Sequence, residues 1–285
     1  MRQPAHSINR PDRDSDRSPE PPCVREDEQG RRWIRFAGRT FLVYQIFYDA
    51  ASALHLDPLY TPYRNARPSR FFETSVISTL LADGAHCGAD YFGVLSWKFA
   101  AKIPLRPAEI LARMQRDHFA SDVYTFFGLV RHGPVWRLAE RKHPGILAAA
   151  EALLQRIGLH VDVAGLEAPI VYQNHFLARP AVYEQFGIEL LRPALRAMAD
   201  ASDAPLQRLL QRDAQYHDPR LSSAQLHTLF DKPYVCLHPF VCERLFSTWL
   251  ALNPSVRVRH IWRGRFVEVD NVRHEPEMRK KAAHA

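Results

Sequence analysis

The feature that most constrains the fold is a short apolar run, residues 91–95, with a glycine at its centre. Aromatic and β-branched residues without polar alternation are typical of a strand that is buried on both faces. Gly93 leaves room for a close neighbour or a ligand. Ser96, Trp97 and Lys98 follow, which predicts a hydroxyl, a flat ring and a cation at the carboxyl end of the strand. Open α/β sheets bind ligands at that end, although a core strand followed by surface residues gives the same pattern.

Strand-like and helix-like segments alternate along the rest of the chain. Apolar runs predict strands at residues 41–48, 121–127 and 168–178, and helical periodicity predicts helices at 71–82 and 143–157. Helices that separate strands of similar length are typical of a parallel sheet covered on both faces. The sequence therefore predicts an α/β fold with a mainly parallel central sheet flanked by helices.

Three further segments complete this prediction. Residues 33–36 and 40–48 are expected to form a hairpin that turns at Gly38. Prolines at predicted first turns start a long helix after Arg179 and an aromatic-rich helix at Pro239.

Composition divides the chain into a body and two tails. Residues 1–30 are rich in Pro, Arg, Asp and Ser, so they bury too little apolar surface to order and are predicted to be a disordered tail. Residues 31–271 are predicted to form a single α/β domain. Residues 272–285 form a charged C-terminal tail.

The chain is basic, with a net charge of +7, which favours anionic partners such as nucleotides and phosphates. No apolar run reaches the roughly 18 residues that cross a bilayer, and the N-terminus lacks the apolar segment of a secretory signal. The expected location is the cytoplasm. The Arg-rich residues 257–265 are a candidate for peripheral contact with anionic lipid at the inner membrane face, although solvated charge explains them equally.

Several common chemistries have no signature in the sequence. The four cysteines lack the close pairing of a zinc site and are too few for a disulfide framework, so idle or buried thiols are expected. No glycine-rich dinucleotide loop, Walker loop, zinc-protease helix or nucleophile elbow occurs.

Two acidic residues, Asp90 and Asp122, lie at predicted strand boundaries. A carboxylate in such a place could hold Mg²⁺ or Mn²⁺ against a pyrophosphate, because these ions prefer oxygen ligands. Asp122 is the candidate metal ligand. Tyr124 occupies the position where a D-x-D pair would have its second acid, and a strand-end cap is the alternative role for Asp122.

Polar side chains also lie within apolar segments. Asn174 and His175 fall in a predicted strand, where they either satisfy each other in the core or contact a sugar or phosphate. Glu243 is placed in or just past the first turn of the helix that Pro239 starts. The helix dipole explains a carboxylate there, and a general base is the alternative. The guanidinium of Arg244 fits either a phosphate or the same carboxylate.

Five segments combine in order within residues 41–252: 89–99 (ADYFGVLSWKF), 122–124 (DVY), 143–145 (HPG), 174–178 (NHFLA) and 239–247 (PFVCERLFS). Together they resemble glycosyltransferases of bacterial capsule and O-antigen clusters. The resemblance implies a GT-A-like nucleotide-diphospho-sugar transferase fold, a nucleotide-sugar donor and a growing glycan as acceptor. It also implies a divalent ion, Mn²⁺ or Mg²⁺, in many members.

Glycosyl transfer assigns roles to these residues. The leaving nucleoside diphosphate must be neutralised, for which Lys98 and Arg244 are the candidates. The acceptor hydroxyl must lose its proton, for which Glu243 or Asp122 is the candidate base. Trp97 is expected to stack on a sugar face.

The resemblance further suggests that Tyr44, Gln45 and Tyr48 hold the base and ribose of the donor. The predicted function is transfer of a sugar from a nucleotide-sugar to a growing surface polysaccharide or lipid-linked glycan. The alternatives are a non-catalytic basic module that binds nucleic acid or acidic polymer, and an inactive transferase-like assembly protein. No nucleic acid is expected, because the basic residues are dispersed. The prediction requires Lys98 and the two candidate bases to share one cleft.

Overall fold

The structure is a computed structural model that describes residues 21–126, 132–171 and 173–261, with the backbone of 266–268. The described strands are β1 (Cys23–Glu26), β2 (Arg32–Phe36), β3 (Arg39–Phe47), β4 (Thr61–Arg64), β5 (Tyr91–Ser96), β6 (Val123–Thr125), β7 (His132–Pro134), β8 (Glu167–Pro169), β9 (Phe176–Ala178), β10 (Val258–Ile261) and β11 (Phe266–Glu268). The described α-helices are α1 (Ala50–Ala53), α2 (Glu73–Ala82), α3 (Phe99–Lys102), α4 (Pro107–Arg116), α5 (Val135–Glu140), α6 (Ile146–Arg156), α7 (Pro180–Phe186), α8 (Arg192–Ala199), α9 (Ala204–Leu210), α10 (Ser223–Phe230) and α11 (His238–Leu252). The protein is a mixed α/β structure in which helices flank a central sheet.

The central sheet is mixed rather than mainly parallel. Its strand order is β1-β2-β3-β5-β9-β6-β10-β11, with β4 beside β3. The pairs β3–β5, β3–β4 and β6–β10 are parallel, as the alternation of strands and helices predicts. The short strand β9 lies antiparallel between β5 and β6, and the β2–β3 hairpin adds further antiparallel pairs. The sequence pattern identifies strands, but it does not reveal that β9 enters the sheet in reverse.

The segment 168–178 is two strands rather than one. Strand β8 pairs with β7 in a separate two-stranded sheet, and β9 belongs to the central sheet. Between them, Gln173 and Asn174 have left-handed backbone angles, with φ of 58° and 55°. Asn tolerates this conformation better than most residues, so it turns the chain where the apolar pattern predicts continuity.

Part of the predicted N-terminal tail is ordered. Strand β1 lies inside residues 1–30 and pairs antiparallel with β2, with Val24 opposite Ile34. The Asp27 carboxylate accepts hydrogen bonds from Trp33 Nε1 at 2.8 Å and from Arg31 Nε at 2.6 Å, which closes the turn between the strands. Residues 1–20 and the predicted tail 272–285 lie outside the described residues.

The core has two halves, one on each face of the sheet. In β5, Phe92 and Val94 pack with α2, α6, α7 and α11, whereas Tyr91 and Leu95 pack with α3 and α4 on the other face. This arrangement confirms the prediction that β5 is buried on both faces. A Cβ at Gly93 would lie 2.2 Å from Leu177 Cδ2, so the predicted close neighbour is β9 rather than a ligand.

Helices α7 and α8 form the long helix that the sequence predicts after Arg179. They are joined without a break by a π-helical segment, Gly187–Leu191. Glu189 in this segment accepts a hydrogen bond from Trp249 Nε1 of α11 at 2.7 Å. Among the described residues, no helix combines the length and the apolar character needed to cross a membrane.

Candidate functional site

The parallel strands β3, β4 and β5 end at the same edge of the central sheet, here named the carboxyl edge. A polar side chain follows each strand at this edge: Tyr48 after β3, Asn65 after β4 and Lys98 two residues after β5. This edge is where open α/β sheets bind ligands. The carboxyl-edge cluster comprises Tyr48, Asn65, Glu73, Trp97, Lys98, Lys102, Tyr216, Asp218, Arg220, Glu243 and Arg244, whose polar groups act on one another electrostatically or through direct contacts.

Trp97 is the platform of this cluster. Lys98 Nζ lies 5.5 Å from the centroid of the indole ring, and Arg220 Cζ lies 5.2 Å from it. The ring of His55 approaches the same indole to 5.3 Å. Arg220 also forms an ion pair with Asp218. In this structure the predicted sugar platform therefore carries two cations, which attraction to the ring quadrupole stabilises.

Lys98 directly precedes α3 and Lys102 ends it, so the two residues lie one helical turn apart and their side chains project from the same side. Lys102 Nζ donates a hydrogen bond to Gln173 Oε1 at 2.5 Å. Neither lysine forms an ion pair with a carboxylate of the described residues, whereas Arg220 and Arg244 each have one.

Desolvation lowers the pKa of Lys98, and the charge of Arg220 lowers it further. Desolvation also lowers the pKa of Lys102, although this residue is exposed, and the neighbouring charge of Lys98 adds to the effect. Two like charges that form no direct ion pair with a carboxylate are stabilised by an added anion. The pair of lysines therefore suits a phosphate or diphosphate.

Glu243 belongs to the second turn of α11, since that helix begins at His238 and has no acidic residue in its first turn. The helix dipole, which acts in the first turn, therefore explains this carboxylate poorly. Glu243 Oε2 accepts a hydrogen bond from Arg244 Nη1 at 3.2 Å, and the same Nη1 donates to Phe240 O at 2.6 Å. Burial raises the pKa of Glu243, Arg244 opposes the rise, and the charge of Glu73 adds to it. A carboxylate with a raised pKa suits a general base.

Glu73 is a member of the cluster that the sequence pattern does not single out. It begins α2 directly after Phe72, whose backbone angles, φ 48° and ψ −130°, are rarely adopted by residues other than glycine. Such backbone strain is concentrated at functional sites. Desolvation raises the pKa of Tyr48 above its usual range, and the Glu73 carboxylate beside the Tyr48 hydroxyl raises it further. The charge of Glu73 also acts on both lysines of α3.

The segment 211–222, between α9 and α10, supplies Tyr216, Asp218 and Arg220. Helix α9 ends at Leu210, so this segment lies between two helices. The sequence does carry a signal for this segment, because an Asp-Pro pair marks a turn. In the structure Asp218 Oδ1 accepts a hydrogen bond from Arg220 N at 3.1 Å, which forms that turn.

Asn174 and His175 lie next to the cluster but within the core, where they are 4% and 1% exposed. Asn174 Nδ2 donates to Thr74 Oγ1 at 3.3 Å, and His175 Nε2 lies 3.2 Å from Ser96 Oγ. Burial lowers the pKa of His175 to about 3, and the charge of Lys102 contributes. These contacts join the start of β9 to α2 and β5, which favours the structural alternative for both residues.

Tyr44 and Gln45 are also engaged inside the fold. The Tyr44 ring packs edge-on against Phe92 with the centroids 6.0 Å apart. Gln45 Nε2 donates to Ser96 O at 3.4 Å, and Gln45 Oε1 accepts from Asp57 N at 2.7 Å. Gln45 lines a cavity of about 220 Å³ on the α3–α4 side of the sheet. Of the three residues predicted to hold base and ribose, the structure brings Tyr48 alone into the cluster.

Asp122 lies at the opposite edge of the sheet, here named the amino edge. Strand β6 and strand β5 are both antiparallel to β9, so they run in the same direction, and Asp122 precedes β6. Its carboxylate pairs with Arg179 at 3.3 Å and with Arg257 at 3.2 Å. The prediction that Asp122 shares a site with Lys98 and Glu243 is wrong, because a strand boundary in the sequence can be either end of the strand.

Burial opposes ionisation of Asp122, but hydrogen bonds and charge from Arg257, together with the charge of Arg179, hold its pKa below the usual value. Asp90, the other strand-boundary acid, also lies at the amino edge, where it pairs with Arg39 at 3.2 Å. Among the described residues, no group of three or more His, Cys, Asp or Glu side chains could hold a metal ion.

Comparisons with protein-family models, with curated proteins and with solved structures found no match to this chain.

Proposed function

We propose that the protein is a glycosyltransferase of GT-A-like fold that transfers a sugar from a nucleotide-sugar donor to a growing surface polysaccharide or lipid-linked glycan. The observation that carries the proposal is the meeting of Lys98, Lys102 and Glu243 at the carboxyl edge of the parallel strands. Cations that form no ion pair with a described carboxylate, together with a carboxylate of raised pKa, are the two components that the transfer requires. Five sequence segments that resemble capsule and O-antigen glycosyltransferases support the same assignment.

In this proposal each component has one task. Lys98 and Lys102 attract the diphosphate of the donor, and Arg220 approaches it from the segment 211–222. Trp97 holds two of these cations in place through its ring. Glu243 accepts the proton of the acceptor hydroxyl, and the hydrogen bond from Arg244 orients its carboxylate.

A thermal-shift screen of UDP-, GDP-, CMP- and dTDP-sugars tests the proposal. A ligand at a hundred times its Kd stabilises a protein by about 2.7 kcal/mol, which is a shift of several degrees in Tm. We expect one nucleotide class to stabilise the wild type and the Asp122→Asn control, and Lys98→Gln to lose the shift. A chain that no nucleotide-sugar stabilises would not be a glycosyltransferase.

The same screen separates the proposal from a basic binding module. Such a module would ignore nucleotide-sugars, and its affinity for nucleic acid or acidic polymer would fall steeply with salt. We expect a nucleotide-sugar to give the larger stabilisation at matched ionic strength.

A further inference from the structure

The resemblance implies a divalent ion in many members, but the acidic residues in the described part of the chain do not fit one. Mg²⁺ and Mn²⁺ prefer oxygen ligands, and at a phosphate substrate Mg²⁺ is usually held by one or two carboxylates together with the phosphates. At the carboxyl edge the two candidate carboxylates on helices are Glu73 and Glu243. Glu243 already accepts a hydrogen bond from Arg244, and Asp218 is paired with Arg220.

The strand-boundary acids that the sequence suggests as metal ligands do not lie at the carboxyl edge. Asp122 and Asp90 lie at the amino edge, and arginines hold both of them. A guanidinium pair neutralises the charge that a metal would otherwise need, so Asp122 suits a structural contact.

The carboxyl edge holds cations where a metal would be expected to act. Lys98 and Lys102 project from one side of α3, and Arg220 reaches the same Trp97 ring that Lys98 contacts. Lys98 and Lys102 have no ion-pair partner among the described carboxylates. Two of these cations flank the Trp97 ring, and Lys102 lies one helical turn from Lys98, so the three side chains together supply positive charge in place of a divalent ion.

We infer that Lys98, Lys102 and Arg220 neutralise the diphosphate of the donor, and that binding of this donor requires no divalent metal. The inference rests on the proposed function and names the groups that stabilise its leaving group. In the transfer the bond between the anomeric carbon and the diphosphate oxygen breaks, and its electron pair stays on that oxygen beside the three cations. The acceptor oxygen forms the new bond to the anomeric carbon, and its proton passes to Glu243.

Titration calorimetry of the full chain with inorganic pyrophosphate tests the inference. The titration is run once with Mn²⁺ and once with EDTA. We expect the two Kd values to agree within about threefold, because the protein itself supplies the charge. Binding that requires Mn²⁺ would overturn the inference, and so would the absence of binding under both conditions.

Matched variants identify the groups responsible. The double variant Lys98→Gln, Lys102→Gln is expected to bind pyrophosphate at least about tenfold more weakly, and Arg220→Gln to weaken it by a similar factor, because each loses charge-assisted hydrogen bonds. Lys142→Gln, an exposed lysine outside the cluster, serves as the control and is expected to bind like the wild type. Unchanged affinity in the double variant would overturn the inference.

Failure of this inference and failure of the proposed function give different results. A nucleotide-sugar that stabilises the protein only with Mn²⁺ leaves the glycosyltransferase proposal standing and overturns the inference. If no nucleotide-sugar stabilises the chain, the function fails, while the pyrophosphate titration still decides whether these cations bind a diphosphate.

Discussion

The two edges of the central sheet both carry charged side chains, but they pair them in different ways. At the amino edge each acid has an arginine: Asp90 pairs with Arg39, and Asp122 with Arg179 and Arg257. At the carboxyl edge two lysines lack an ion pair with any described carboxylate, and one glutamate has a raised pKa.

Asp117 at the amino edge makes the contrast plainest. Its side chain is 2% exposed, pairs with Arg259, and accepts hydrogen bonds from Tyr124 OH at 2.5 Å and Ser121 Oγ at 2.7 Å. A buried carboxylate that is fully paired has no capacity left for a ligand. The two edges therefore differ in how their charges are paired. The acids described at the amino edge are paired with arginines, whereas Lys98 and Lys102 at the carboxyl edge form no ion pair with a described carboxylate.

The largest expected effect is on catalysis at the carboxyl edge. Glu243→Gln should lower the transfer rate by about 10²- to 10⁴-fold, the usual contribution of a general base. The amide oxygen can still accept from Arg244 Nη1, so the free energy of unfolding should change by less than about 1 kcal/mol. Rate measurements with the donor found by thermal shift, together with urea unfolding, check both values. Loss of folding would assign Glu243 to structure.

At the amino edge the largest expected effect is on stability. Asp117→Ala leaves Arg259, Tyr124 and Ser121 without their shared acceptor, and should lower the free energy of unfolding by about 3 kcal/mol. Pyrophosphate affinity should stay at the wild-type value under conditions where the variant is folded. A variant that folds with wild-type stability but loses binding would reverse the assignment of the two edges.

As the pH is lowered, the core beside the carboxyl edge should lose stability at a higher pH than the amino edge does. Burial lowers the pKa of His175 and of His238 to about 3, so each stays neutral in the folded protein while the unfolded chain binds a proton below pH 6.5. Stability is therefore complete above pH 6.5 and falls as the pH decreases toward 3, by about 1.4 kcal/mol per pH unit for each histidine.

Urea unfolding across this range checks the slope. His175→Asn removes one titrating group and should reduce the slope by about 1.4 kcal/mol per pH unit. A slope equal to that of the wild type would mean that His175 is protonated in the folded protein.

The smallest expected effect is at Asp122. Its side chain is 21% exposed and its partner Arg257 is 63% exposed, so solvent screens the pair, and Asp122→Asn should cost about 1 kcal/mol or less. The pKa of Asp122 is lowered in the folded protein, so this contribution is present above pH 3.8 and disappears as the pH falls through the folded value. Urea unfolding at neutral and acid pH checks both statements. A larger loss, with loss of ligand binding, would restore Asp122 to the site.

The sequence predicts most of the elements and less of their arrangement. The hairpin that turns at Gly38 and the helix that begins after Arg179 are both confirmed, because turn residues and prolines act locally. The sheet order depends on contacts between distant residues. Strand β9 has only three residues, so its sequence does not indicate whether it runs parallel or antiparallel to its neighbours.

The sequence likewise predicts some residues of the candidate site and not others. Lys98, Trp97 and Glu243 follow recognisable patterns, since they end a buried strand or interrupt an aromatic helix. Glu73 and Arg220 have no pattern of their own, because what brings them to the cluster is the path of the connecting segments. Asp122 is the reverse case. Its position at a strand boundary is recognisable in the sequence, but it precedes β6 and therefore lies at the amino edge, away from the cluster.

The π-helical turn between α7 and α8 gives the chain one position where it can change length. A π-helical turn holds one residue more than a regular α-helical turn. Ile188 lies in this segment and is 56% exposed. Its deletion would convert the segment to a regular α-helix and leave α7 and α8 in place. A deletion about two turns later, at Arg196, has no surplus residue to absorb it. It would rotate the rest of α8 by about 100° and carry Met198 out of the core. A natural variant that is shorter by one residue in this helix should have lost it at the bulge.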